Sequence, residues 1–147
     1  MNELVQKALA PRDGAARWFA AVVRVVAGVA FILFGIGKFA DHMKEALDFD
    51  KYGVPLPDIA VWVSGTIEVV GGGLLVIGLL TRLAAALLAV NLVVAILTAG
   101  VMQGGTFHLG VGPALLVAML FLIWVGGGAL SLDRRLADQE HHPGALA

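Results

Sequence analysis

Hydrophobic positions along this chain neither alternate nor confine themselves to one helical stripe. They fill four blocks, Trp18 to Phe39, Ile59 to Leu80, Leu83 to Met102 and Leu109 to Leu130, each 20 to 22 residues long. A helix of about 20 residues crosses a hydrocarbon core of about 30 Å. A membrane strand would need only ~9–11 residues with strict alternation, which the blocks lack. A water-soluble bundle would need a wide polar stripe on each helix, and none is present. The pattern predicts an all-α membrane protein with four transmembrane helices, about 18–39, 59–80, 83–102 and 109–130, in a single domain over residues 1–147. The first block is too long for a removable signal peptide, and "GKFADHM" after it has no small-x-small cleavage pattern. The short link "LLTRLAA" makes the second and third helices antiparallel neighbours, so the expected architecture is an up-down-up-down bundle.

The few polar residues inside the blocks carry the candidate chemistry. Arg24 lies six residues in from Trp18, about 9 Å along the axis at the helical rise. Arg24, Gly28, Phe31, Gly35 and Lys38 follow one another at spacings of 4, 3, 4 and 3, which places them on one face. Glu68 is the sole acid within any block. An ionisable residue at the centre of a membrane helix costs roughly 2.5–3.5 kcal/mol, so it turns to the interior and finds a partner or a role. Side chains lean toward the N-terminus of their own helix. Lys38, at the outer end of the first helix, therefore leans down toward Glu68, and is its better partner on direction. Arg24, on the same helix, leans toward the cytoplasmic end and so away from Glu68, either to the headgroups as an anchor or to an interior role. Glu68 reads as a structural ion-pair member, as a protonated hydrogen-bond donor, or as the acceptor of a polar pocket open to the outer leaflet. In the pocket reading, Gly28 and Gly35 leave room beside Lys38 and Glu68.

Asn91 fits an interhelical hydrogen bond or a ligand contact. His108, with Gln103 and His42, stands near the outer ends of the helices, where it can rim such a pocket. His141 and His142 have no second ligand pair at metal spacing, so no metal site and no catalytic residue is predicted. Gly71, Gly72 and Gly73 permit close helix contact. Trp18 and Trp62 suit the aromatic belts. The stretch "MNELVQKALAPRDGAARW" can begin with a short surface helix before Pro11.

Composition sharpens these readings. The chain is 59% hydrophobic and 14% charged, against about 45–50% and about 25% in soluble domains. A formal net charge of −1 gives no basic footprint for nucleic acid. With no cysteine, thiolate nucleophiles, disulfide exchange and thiol-ligated metals are excluded for this chain alone. Six lysines and arginines flank the helices on the side of the termini, against three (Lys38, Lys44, Lys51) on the other. That asymmetry predicts an inner-membrane protein with both termini cytoplasmic.

Four pieces taken together, "RVVAGVAFILFGIGKFA", "GVPLP", "WVSGTIEVVGGGLLVIGLLTRLAAALLA" and "GGGALSLDRRL", resemble the DoxX family over roughly residues 18 to 136. The resemblance implies a four-helix membrane bundle associated with redox systems, such as a subunit of an archaeal thiosulfate:quinone oxidoreductase or partners of thiol and superoxide-detoxifying enzymes. It leads to the expectation of a membrane subunit, not catalytic alone, with no intrinsic cofactor. A quinone or similar small molecule would be held among Lys38, Glu68, Arg24, His108 and Asn91. The expected partners are the lipid bilayer, a soluble or membrane oxidoreductase, and a second copy of the chain. An alternative is a non-catalytic anchor or scaffold for a soluble oxidoreductase. A small transporter is the third reading, and the lack of an evident inverted repeat weighs against it.

Overall fold

A computed structural model describes residues 14–104 and 107–141, the side chains of 103, 107, 108 and 137–141 excepted. Every element among the described residues is helical. Helix α1 runs Ala15–Ala40, α2 His42–Lys51, α3 Pro57–Ile77, α4 Thr81–Ala95, α5 Gly112–Val125 and α6 Leu132–His141. Helix α4 continues into a π-helical turn, Ile96–Gly100, and a last short turn, Val101–Gln103; a second π turn, Phe107–Val111, leads into α5. Three stretches, Ala15–Ala40, Pro57–Ile77 and Thr81–Gly100, are long and apolar enough to cross a membrane, and Leu109–Val125 is a shorter apolar fourth. The expected N-terminal surface helix lies outside the described residues.

The four apolar helices alternate in direction. Gly28 faces Gly72 and Gly35 faces Gly65, so α1 and α3 are antiparallel. Gly71 faces Leu88 and Glu68 meets Asn91, which does the same for α3 and α4. Beyond the end of α5, Ala129 donates its N–H to the Arg17 carbonyl at the start of α1 (2.9 Å), closing the bundle. Phe19 and Phe121 meet edge-to-face at 5.5 Å along that seam. The core is small-residue rich, with Ala20, Ala27, Ala84 and Ala85 buried beside Phe31, Leu75, Leu88, Met119 and Leu122.

Backbone approach between α1 and α3 organises the rest. A Cβ built on Gly28 would stand 2.7 Å from the Gly72 carbonyl oxygen, and one on Gly72 would stand 2.6 Å from that of Gly28. Two turns further out, a Cβ on Gly35 would stand 2.7 Å from the Gly65 oxygen. Lipid tails offer no hydrophobic drive between helices, so close backbone packing at small residues is what holds such a pair. This corrects the expectation that Gly28 and Gly35 leave room beside the charged stripe: the backbone of α3 fills that space. Of the three adjacent glycines, Gly72 meets α1, Gly71 meets α4, and Gly73 has nothing within 4 Å.

Some boundaries differ from the hydrophobic blocks for backbone reasons. Helix α3 begins at Pro57, where the missing N–H and fixed φ suit a first turn. It stops at Gly78 in the left-handed region (φ 73), so Leu79 and Leu80 are apolar but not helical. Helix α5 stops at Gly126 (φ 85), well before Leu130, because Gly126 and Gly128 both take positive φ. Helix α2 lies within the loop between α1 and α3, where no element was expected. It buries Ala46, half-buries His42, Glu45 and Phe49, and exposes Met43 and Leu47. Lys51 donates to Asp48 across one of its turns (2.8 Å), which holds the Asp48 carboxyl below its ordinary range and raises Lys51.

The glycine contacts yield a direct expectation. Gly72→Ala should lower the melting temperature in detergent, a loss of about 1–3 kcal/mol as for other overpacked cores. Gly73→Ala, which adds its methyl to open space, should melt at or above the parent; equal losses at both positions would contradict this packing.

Candidate functional site

The register of α1 against α3 places Lys38 beside Glu68. Lys38 Nζ donates to Glu68 Oε2 at 2.7 Å, and Asn91 Nδ2 donates to Glu68 Oε1 at 3.0 Å. Each carboxylate oxygen thus serves a different helix, and one side chain ties α1, α3 and α4. The Glu68 side chain is 8% exposed and that of Lys38 16%. The pairing matches the lean of the side chains expected from an antiparallel pair, and the two charges meet directly with nothing held between them. The desolvation of two charges is offset only when geometry is close and remaining lone pairs are used, which Asn91 accomplishes here.

An aromatic group stands immediately beside this pair, toward the C-terminal end of α1. Phe39 stacks on Trp62 (centroids 5.0 Å, 29°), and His42 packs on the same indole at 5.2 Å. Gly65 makes the stack possible, since a Cβ there would lie 2.8 Å from the Phe39 ring. His42 Nε2 lies 3.3 Å from the exposed Asp58 carboxylate, while its Nδ1 is buried without a hydrogen-bond partner among the described residues. Glu45 of α2 adds a second negative charge within electrostatic reach of Glu68. The π turn at Ile96–Gly100 begins five residues beyond Asn91, and Thr98 Oγ1 donates to the Val94 carbonyl there (2.8 Å). Such wide turns recur at functional sites.

Arg24 belongs to a different place. It lies 14 residues before Lys38 on α1, about 21 Å along the axis, at the end of the bundle where the described chain begins. It is 3% exposed, so its side chain is turned into the bundle and does not extend outward as a snorkelling anchor. Its guanidinium lies against Gly78, on the space a Cβ of that residue would need, and beside Ser131. There it meets the C-terminus of α3, where the helix dipole favours a cation.

Asp133 completes this second cluster. Its carboxylate accepts from the Leu80 N–H (2.7 Å) and the Thr81 N–H (2.9 Å), capping α4 from a distance, and its own N–H donates to the Gly78 carbonyl (3.0 Å). Leu80 is in the left-handed region (φ 50), an unfavourable state for a leucine that the two-amide grip of Asp133 holds in place.

Of the five candidate residues, Lys38, Glu68 and Asn91 converge, Arg24 sits apart, and the His108 side chain lies outside the described residues, as does that of Gln103. Among the described residues no three His, Asp or Glu groups could hold a metal ion. The aromatic stack and Asp133 were missed in the sequence. Ser131, whose Oγ accepts from the Arg134 N–H (3.3 Å), is a legible N-cap for α6, but it carries no signal of the reach of Asp133 to α4.

Comparison with known proteins gives a consistent picture. The sequence profile of the DoxX family matches residues 19–101. An uncharacterized membrane protein of Mycobacterium tuberculosis, Rv3486, is 35% identical over 139 residues, covering 84% of each chain. An uncharacterized protein of Haemophilus influenzae is 34% identical over 80% of this chain and 90% of its own. A Bacillus subtilis protein named "Putative oxidoreductase CatD" is 31% identical over 76% of this chain and 82% of its own. No solved structure matches.

Both clusters can be tested through stability. Glu68→Leu should cost about 3–5 kcal/mol, because it strands Lys38 in a buried site, and Lys38→Met in the same chain should restore much of the loss. Glu68→Gln should retain the fold, with its amide oxygen accepting from Lys38 and its amide nitrogen donating to the Oδ1 of a flipped Asn91. Thermal melts of Glu68→Leu indistinguishable from the parent would deny Glu68 a structural partner. At the other end, Gly78→Ala should be far more damaging than Gly37→Ala, since Gly37 has nothing within 4 Å.

Proposed function

The chain belongs to the DoxX family of membrane proteins, and from that premise we propose that it is a membrane subunit of a redox system which holds a quinone or similar small aromatic at the Lys38–Glu68–Asn91 cluster. The carrying observation is the juxtaposition of a buried ion pair with the Phe39–Trp62 stack. A quinone offers a flat ring and two carbonyl oxygens, and this cluster has the matching parts. The Lys38 ammonium has three N–H donors and gives one to Glu68; the Asn91 amide has two and gives one. The remaining donors are available to a ring carbonyl, and the aromatic faces to the ring.

When bound, the quinone would supply the two-electron chemistry, and electrons would come from a partner oxidoreductase. The residues of this chain would orient the ring, exclude water from it, and hold a proton at the Glu68 carboxylate. The oxidoreductase name of the Bacillus subtilis relative points the same way. The positive residues at the end bearing Arg17, Arg82, Arg134 and Arg135 support an inner-membrane placement with that end cytoplasmic. A second reading, a non-catalytic anchor for a soluble oxidoreductase, is favoured by one feature: Glu68 already accepts with both oxygens, as a purely structural residue would.

Native mass spectrometry of the gently purified chain separates the two. The quinone reading expects a co-purifying quinone that falls about tenfold in Asn91→Leu with the fold retained. A partner chain without any quinone, in parent and variant alike, would favour the anchor and sink the quinone site. Topology is checked independently: the chain lacks cysteine, so single cysteines at Asp48 and Asp138 report cleanly to an impermeant thiol reagent. Labelling in intact cells is expected at position 48 and not at 138; the reverse would invert the orientation.

A further inference from the structure

The inner cluster contains more positive charge than its own partners satisfy. Arg24 is 3% exposed and Thr81 fully buried, yet Arg24 Nε, Arg24 Nη1 and Thr81 Oγ1 have no hydrogen-bond partner among the described residues. Arg17 Nε is buried and unpartnered at the same end. Buried donors without acceptors are rare in folded proteins, and those on a charged group are the costliest. The groups gather around one loop. The Arg17 carbonyl lies against Gly128, Thr81 Oγ1 would stand 2.8 Å from a Cβ on Gly127, and Arg82 Nε would stand 3.4 Å from one on Gly126. Among the described side chains, Asp133 is the one carboxylate at this end, and it is engaged by the Leu80 and Thr81 amides.

We propose that this end of the bundle binds a phosphate-type oxyanion, supplied by the headgroup of an anionic membrane lipid, between Arg24, Arg17, Arg82 and the Thr81 hydroxyl. A phosphate diester has the acceptor oxygens that guanidinium groups and a hydroxyl can share, and arginine forks match it in geometry. Basic pockets between membrane helices at one leaflet are suited to such headgroups. The lipid, rather than free phosphate, is favoured by what surrounds the cluster: Trp18, Leu80, Trp124 and Leu130 are all exposed at this end and would lie along acyl chains. Asp133 occupies the start of α4, so the oxyanion is held by side chains and not by the helix terminus.

The test uses the full chain in neutral detergent, melted with added phosphatidylglycerol, phosphatidylcholine or inorganic phosphate. Phosphatidylglycerol should raise the melting temperature saturably and phosphatidylcholine should not. Phosphatidylglycerol acting alone assigns the source to lipid; an equal response to inorganic phosphate supports the oxyanion site but assigns it to a soluble anion. Arg24 also clamps α3, so its own variants test folding and binding together, and two others keep the question open to refutation. Thr81→Val, which keeps the shape and removes the hydroxyl, and Arg82→Gln should each weaken the phosphatidylglycerol response about tenfold. Equal stabilisation by both lipids, or variants that respond as the parent does, would overturn the proposal.

Discussion

The contact of two backbones, α1 on α3 at Gly28–Gly72 and again at Gly35–Gly65, fixes everything else in the bundle. Without side chains between them the helices cannot slide, because a shift by one turn would drive β-carbons into carbonyl oxygens. That register is what sets Lys38 against Glu68 at one end and Arg24 against Gly78 at the other. In water the same charges would solve their problem by hydration. In hydrocarbon they depend on where a rigid neighbour happens to be, so packing and electrostatics are a single constraint.

The two ends use that constraint differently. At the outer end, opposite charges meet and an amide completes the carboxylate, leaving spare donors next to aromatic faces. At the end bearing Arg24, its guanidinium is placed at a helix C-terminus, and the Asp133 carboxylate is engaged by the backbone of the next helix. In the first case both carboxylate oxygens are used; in the second, buried polar atoms of Arg17, Arg24 and Thr81 have no partner among the described residues. The lean of side chains toward their own N-terminus explains why two residues of one stripe, Arg24 and Lys38, end in such unlike surroundings.

Much of this was legible in the sequence. Helix number, antiparallel order and the Lys38–Glu68 pairing follow from block length, short links and side-chain direction. Asn91 was readable only as an alternative, because nothing in one sequence says which face of α4 meets α3. Helix α2 escaped notice because its apolar residues, Met43, Ala46, Leu47 and Phe49, are outnumbered by charged and polar ones, too few for a hydropathy pattern to register. The role of Gly28 and Gly35 was misjudged as space, since a glycine in a sequence does not reveal whether a cavity or a backbone fills the gap. Asp133 was invisible for a different reason: its partners, Leu80 and Thr81, are backbone groups more than fifty residues away.

The inner clamp also imposes an order in time. Arg24 is made early, and the residues that settle it, Gly78, Ser131 and Asp133, come much later. At ordinary synthesis rates Asp133 leaves the ribosome on the order of 5–20 s after Arg24. Through that interval the first helix must rest in the membrane, or in the machinery that delivers it, with a guanidinium that has no native neighbour. The finished bundle hides a charge that its own assembly must carry uncovered almost to the last helix.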